Sequence, residues 1–215
     1  MIRLIAITIL IISSFHATLA AAEKVCSTDT TKLHKYAGVY PKEQFLLDLI
    51  ATRSVMEAKS RAYNSVPTEI RIYDEGILVT YDWHEADEIV EECIVIEIDH
   101  VRLGERKERY TRPGLGTSPY FDALFSGCFI DEAKEEWCFN SGGIGVGNAW
   151  HKAQLILDLS ELPLENSVAI DDSEELWFFR PLQNGGWHVF KGSWLTSEKP
   201  PVDWNRPWRT LTPSP

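Results

Sequence analysis

The chain reads as a mainly β protein with one substantial helix, an antiparallel meander closing into a barrel or a strongly bent sheet. Three observations predict this. Between Thr68 and Leu103, apolar residues alternate with polar ones across two turn signals. Further short alternating runs follow at close spacing as far as Leu195. Only residues 43–62 carry the three-to-four-residue apolar repeat of a helix.

The first 22 residues read as an export signal. Arg3 is a minimal basic start, Leu4–Ile12 is almost wholly apolar, and Ala20-Ala21-Ala22 supplies small residues before a cut ahead of Glu23. The apolar core is too short to span a bilayer comfortably, and no later stretch is long and apolar enough to do so. Cys26 lies behind Glu23-Lys24-Val25 rather than directly at the cut, so the signal is not of the lipoprotein kind. The expected location is secreted or periplasmic. The expected organisation is 1–22 signal peptide, 23–196 a single β-rich domain and 197–215 a proline-rich tail.

Leu33–Tyr40 reads as a short first strand. Pro41 then suits the first turn of a helix and Glu43 its positive end. From Glu43 to Ala62, Phe45, Leu46, Leu49 and Ile50 share a face that continues into Val55, Met56, Ala58 and Ala62, until Asn64–Pro67 stops it. Ile70 and Ile72 follow in a strand, Asp74-Glu75-Gly76 offers a turn, and Ile77, Val79, Tyr81 and Trp83 alternate with Leu78, Thr80 and Asp82. Cys93–Leu103 is the third run. Gly104–Pro119 is a long loop whose Arg106, Lys107, Arg109 and Arg112 make a basic patch on an acidic chain.

Phe121–Ile130 and Glu136–Asn140 read as strands around an acidic turn. Ser141–Asn148 is glycine-rich, but it fits neither a P-loop nor a dinucleotide fingerprint, so it reads as a bend or bulge. Gln154–Leu159 is another strand. Asn184-Gly185 is a hairpin signal joining Leu176–Arg180 to Trp187–Leu195. The tail Ser197–Pro215 contains five prolines and is expected to be extended and largely unpaired.

Gly38-Val39-Tyr40 resembles the Gly-x-Trp of the calycin superfamily, the lipocalins and fatty-acid-binding proteins, with tyrosine in place of tryptophan. The order strand, helical segment, strands is similar to the fatty-acid-binding branch over about half the layout. The resemblance implies a closed barrel with a ligand cavity opening at one end.

Removing Arg3 with the signal leaves 20 basic residues against 32 acidic ones, a net charge of −12. Such a charge disfavours nucleic acid and anionic membranes; it permits a basic protein partner and also keeps an exported protein soluble. Cys26, Cys93, Cys128 and Cys138 are an even set in an exported chain, so disulfides are expected. Cys128 and Cys138 flank a short polar segment and form the natural local pair. By elimination, Cys26 then ties the N-terminal arm to the meander at Cys93. No histidine stands beside these cysteines at a ligand spacing, and no metal or cofactor is expected.

Chemistry has few candidates. Asp82 and His84 project to one face of a strand, with Glu85 beside them, and form a possible acid–base or ligand group at an acidic strand end. Asp99-His100 repeats the idea more weakly. His151 and His188 have no orienting partner in the sequence, and neither Ser126 nor Ser141 sits in a nucleophile elbow. The acids at 171–175 lack the spacing of an EF-hand loop but remain an option for calcium. Seven of the eight tryptophans fall between Trp137 and Trp208. Trp177, Trp187 and Trp194 suit the core. Trp204 and Trp208, in the tail, either pack back over a barrel end or offer a stacking surface.

The expected function is an exported non-catalytic binding protein. It holds an apolar small molecule in a barrel cavity, or its acidic surface binds a basic protein. The competing class is an extracytoplasmic hydrolase using Asp82, His84 and neighbouring acids.

Overall fold

The structure is a computed structural model and describes residues 22–62, 69–80, 88–89, 93–112, 118–140, 142–157, 166–173, 175–193 and 202–214. Asp82, His84 and Glu85 lie outside these residues.

The N-terminal half builds two four-stranded sheets around one aliphatic core. It runs β1 (Glu23–Val25), α1 (Thr30–Lys35), β2 (Gly38–Pro41), α2 (Glu43–Thr52), α3 (Val55–Ala62), β3 (Glu69–Tyr73), β4 (Gly76–Thr80), β5 (Glu88–Ile89), β6 (Ile94–Ile96), β7 (His100–Leu103) and β8 (Tyr110–Thr111). The sheet orders are β2-β3-β4-β5 and β1-β6-β7-β8. Across the first hairpin Ile70 faces Val79 and Ile72 faces Ile77; all four are buried, with Ile94, Ile96, Val101 and Leu103 from the other sheet in the same cluster. The expected strand Leu33–Tyr40 is extended only from Gly38. Asp29 caps the start of α1 by accepting from Lys32 N–H at 3.2 Å, which turns Leu33 into a buried helical residue.

The single long helix of the sequence reading is two helices. Arg53 adopts the left-handed conformation at φ 54°, ending α2, and Val55 starts α3. Tertiary contacts hold this break. The Arg53 guanidinium lies 3.9 Å from the centre of the Trp187 ring and donates to Gly186 O at 3.1 Å. Asn166, itself at φ 52°, accepts from Val55 N–H and donates to Arg53 O and Phe179 O, at 2.8–3.0 Å. The expected strand Phe121–Ile130 also divides. Ser118 and Pro119 open α4 (Pro119–Leu124), and the strand begins only at Gly127. Tyr120 of α4 donates to the buried Glu69 carboxylate, which also pairs with Arg71, so α4 is tied to the N-terminal sheets.

The barrel is built by the C-terminal half, not by the meander. Its strands are β9 (Gly127–Ile130), β10 (Glu136–Asn140), β11 (Gly143–Val146), β12 (Ala149–Leu155), β13 (Ser167–Ile170), β14 (Glu175–Pro181), β15 (Trp187–Ser193) and β16 (Arg209–Pro213). Each pairs antiparallel with the next, and β16 returns to β9 to close an eight-stranded barrel. The tail is therefore not unpaired. Leu211 faces Trp187 and Thr212 faces Ile130, with Pro213 at the strand's end. The Gly38-Val39-Tyr40 motif sits in an N-terminal sheet, outside the barrel.

Inward residues fill the lumen. Phe125, just after α4, meets Phe139 at 5.3 Å, Phe179 at 4.8 Å and Trp187 at 5.0 Å between ring centres. Phe121, Ile144, Val168 and Val189 belong to the same cluster, as do Phe45 and Leu49 of α2 and Val55 of α3. On the outer wall of β14 and β15, Leu176, Phe178 and Phe190 are covered by Val202 and Trp204. The glycine-rich segment is β11 itself. A methyl group at Gly143 would fall 1.9 Å from the Trp150 indole, so the missing side chain lets that ring lie against the strand.

Cys26 is bridged to Cys93 and Cys128 to Cys138, the latter pair facing each other across β9 and β10. No helix among the described residues is long and apolar enough to cross a membrane. The two disulfides are compatible with an oxidising, extracellular setting.

Candidate functional site

The two ends of the barrel differ in chemistry. One end is closed by α4 and by the break between α2 and α3, through Phe125, Arg53 and Asn166. At the other end the inward positions turn polar. β14 places Glu175 two residues before Trp177, and β15 places Lys191 opposite Trp177. β12 contributes His151, two residues before the buried Ala153, and β16 contributes Arg209, two residues before the buried Leu211.

Three indoles form the base of this mouth. The ring centres of Trp137, Trp177 and Trp208 are 5.4–5.6 Å apart in each pairing. Lys191 Nζ stands 3.8 Å above the centre of Trp208 and 5.2 Å from that of Trp177, and pairs with Glu175 Oε1 at 2.7 Å. Trp177 Nε1–H donates to the same oxygen at 2.5 Å. The Lys191 and Trp177 hydrogen bonds hold the Glu175 carboxyl below its ordinary range. Arg209 Nε lies 3.1 Å from the fully buried Asp131 carboxylate, and its guanidinium stands 4.7 Å from the centre of the Trp208 ring.

His151 is oriented from outside the ring of indoles. Its Nδ1 is 2.7 Å from Asp171 Oδ2, while Asp171 Oδ1 accepts from Lys152 N–H at 2.8 Å. Asp171 and Asp172 both have positive φ, 52° and 53°, in the turn between β13 and β14. The His151 hydrogen bond lowers the Asp171 pKa. The imidazole meets Trp177 edge-on at 5.3 Å. An imidazole held at Nδ1 by a carboxylate is oriented as a positioned acid or base would be.

Of the acids at 171–175, Asp171 meets His151, Asp172 meets Lys152 Nζ at 2.8 Å and Glu175 meets Lys191, while Glu174 lies outside the described residues. His100 is hemmed in by Asp99 on Nδ1 at 2.7 Å, Glu97 on Nε2 at 2.9 Å and Arg109 at 3.2 Å, an ion-pair network on β7. His188 bonds Thr210 at 3.1 Å. Trp208 belongs to the mouth, whereas Trp204 packs on Phe178 and Phe190 at 5.9 and 4.9 Å. Both are partly buried, so neither presents a bare stacking face. Cys128, Glu136 and Cys138 bring ligand-type atoms within 4.8 Å, but both sulfurs are in a disulfide and offer no thiolate.

Sequence reasoning passed over the His151–Asp171 pair because 20 residues separate the partners. Only the β12–β13 register, Ala153 opposite Ile170, makes them neighbours. Compared with known proteins, the chain matches no family model, no curated protein and no solved structure, and the reading of its function rests on this geometry.

Proposed function

We propose that this chain is an exported, non-catalytic binding protein that engages a basic protein partner through its acidic surface. The observation that carries this is the filled lumen. A calycin-like barrel holds its ligand inside, but here Phe125, Phe139, Phe179 and Trp187 occupy that space in mutual contact. Recognition then falls to the outside of a chain that carries 32 acidic residues against 21 basic ones. Two disulfides and the export signal read from the sequence fit work outside the cytoplasm.

Native mass spectrometry and salt-dependent capture test the reading together. The expected result is a mature mass without adduct, and binding to basic proteins that weakens steeply as salt is raised. A retained lipid-sized mass would return the ligand to the barrel and overturn the surface reading.

The second reading is a hydrolase, favoured by the oriented His151–Asp171 pair. A broad hydrolase screen that detects activity, lost in His151→Ala, would replace the binding reading. The same screen with His84→Ala tests the group Asp82, His84 and Glu85.

A further inference from the structure

A groove of about 350 Å³ lies between the start of α2 and the segment joining β7 to β8. Its walls include Lys42, Glu43 and Leu47 on one side and Lys107, Glu108 and Arg109 on the other. The walls are fixed to each other. Glu43 N–H donates to Arg109 O at 2.9 Å, Lys42 bridges to Tyr110 in antiparallel fashion, and Arg109 Nε pairs with Glu43 at 3.0 Å. A volume of this size suits a small organic molecule.

The charges in the groove are unequally matched. Arg109 pairs with Glu43 at 3.0 Å and reaches Asp99, outside the lining, at 3.4 Å. Lys42 and Lys107 have no ion-pair partner among the described residues, and Glu108 is the single remaining acid of the lining. The lining therefore carries one net positive charge, in a chain whose formal charge is −11. Leu47 stands 51% exposed at the same groove, an apolar surface left to water.

We propose that this groove binds a small organic carboxylate, with the anion between Lys42 and Lys107 and an apolar body against Leu47. A single negative charge matches the net charge of the lining, whereas a dianion such as phosphate exceeds it. The site lies outside the barrel and does not depend on the acidic-surface reading.

Benzoate, benzamide and benzamidinium are three probes of nearly one shape with charges −1, 0 and +1. Each is titrated into the isotope-labelled, disulfide-intact protein and followed by amide NMR shifts. The expected result is a saturable benzoate response centred on residues 42–47 and 107–109, a weaker benzamide response there and none from benzamidinium. Acetate is expected to bind several-fold more weakly than benzoate. Combining Lys42→Ser with Lys107→Ser is expected to weaken benzoate tenfold or more, and Leu47→Ser to erase its advantage over acetate. The absence of a saturable benzoate response in the groove overturns the proposal. So does an equal response to benzamidinium. Both comparisons use the unmodified protein, so they stand whatever the variants do.

Discussion

The two halves of this chain bury their cores in different ways. The N-terminal sheets bury mainly β-branched and leucine side chains, Ile70, Ile72, Ile77, Val79, Ile94, Ile96, Val101 and Leu103, with Tyr36, Tyr40 and Tyr110 beside them. The C-terminal half uses rings, Phe125, Phe139, Phe179, Trp137, Trp177 and Trp187, inside a closed wall. Open sheets leave edges, and here the four described edge strands β1, β2, β5 and β8 are only two to four residues long, which limits pairing with another chain. A closed barrel has no edges, and with eight strands its interior is just wide enough for side chains to fill. Here rings do much of that filling, beside Ile144, Val168, Val189 and Leu211.

The largest expected effect is at the ring cluster. Trp187→Ala removes the centre of the barrel packing and the surface on which Arg53 lies, and is expected to cost about 3–5 kcal/mol, against about 1 kcal/mol for Ile72→Val in the aliphatic core. Urea unfolding of both variants measures the ratio; equal losses would break the contrast between the two cores. The disulfides sharpen it next. Cys26–Cys93 closes a loop of 67 residues and Cys128–Cys138 one of 10. Replacing each pair by serine is expected to cost about 4 and about 3 kcal/mol respectively from unfolded-chain entropy, and a reversed order in denaturation midpoints would show that strand closure outweighs loop length.

Smaller still is the strain at β11. Gly143→Ala places a methyl group in the Trp150 ring and is expected to cost about 1–3 kcal/mol. Adding Trp150→Ala should recover part of that loss, and a double-mutant cycle reads the coupling. The smallest effect is electrostatic and confined to the barrel mouth. Because Lys191, and then Trp177, depress the Glu175 pKa in the folded chain, their contribution is complete above the ordinary carboxylate value of about 4 and fades as pH falls through the lowered folded value. Glu175→Gln should flatten this acid limb in a tryptophan-fluorescence titration. An unchanged limb would assign the acid sensitivity to other carboxylates.

Local signals in the sequence were read well where they were self-contained. The β character, the Asp74–Gly76 and Asn184–Gly185 turns, and Cys128 opposite Cys138 all follow from neighbours a few residues apart. The partner of each strand did not. Alternation says that Ile77 and Val79 share a face, but not which sheet that face meets, so it points to a barrel from the meander whereas residues 127–213 build one. The helix break was hidden because Arg53 takes a conformation usually left to glycine, held there by groups more than 100 residues away. Ser118-Pro119 did carry a readable helix start, which the apolar run after it obscured. Prolines made the tail look unpaired, yet β16 has Pro213 only at its end. For the mouth, His151 was visible as a residue and invisible as a pair.

The closing contact of the barrel sets an order of events as the chain is made. Thr212 meets Ile130 across 82 residues, so β9 has no β16 to pair with until seven further strands have left the ribosome and, on the export reading, crossed a membrane. Throughout that interval one flank of β9 exposes unpaired backbone beside Phe129, a surface open to chaperones and to aggregation. The Cys128–Cys138 bridge needs only the neighbouring hairpin and can form early. It would hold the other flank of β9 in register while the barrel waits for its last strand.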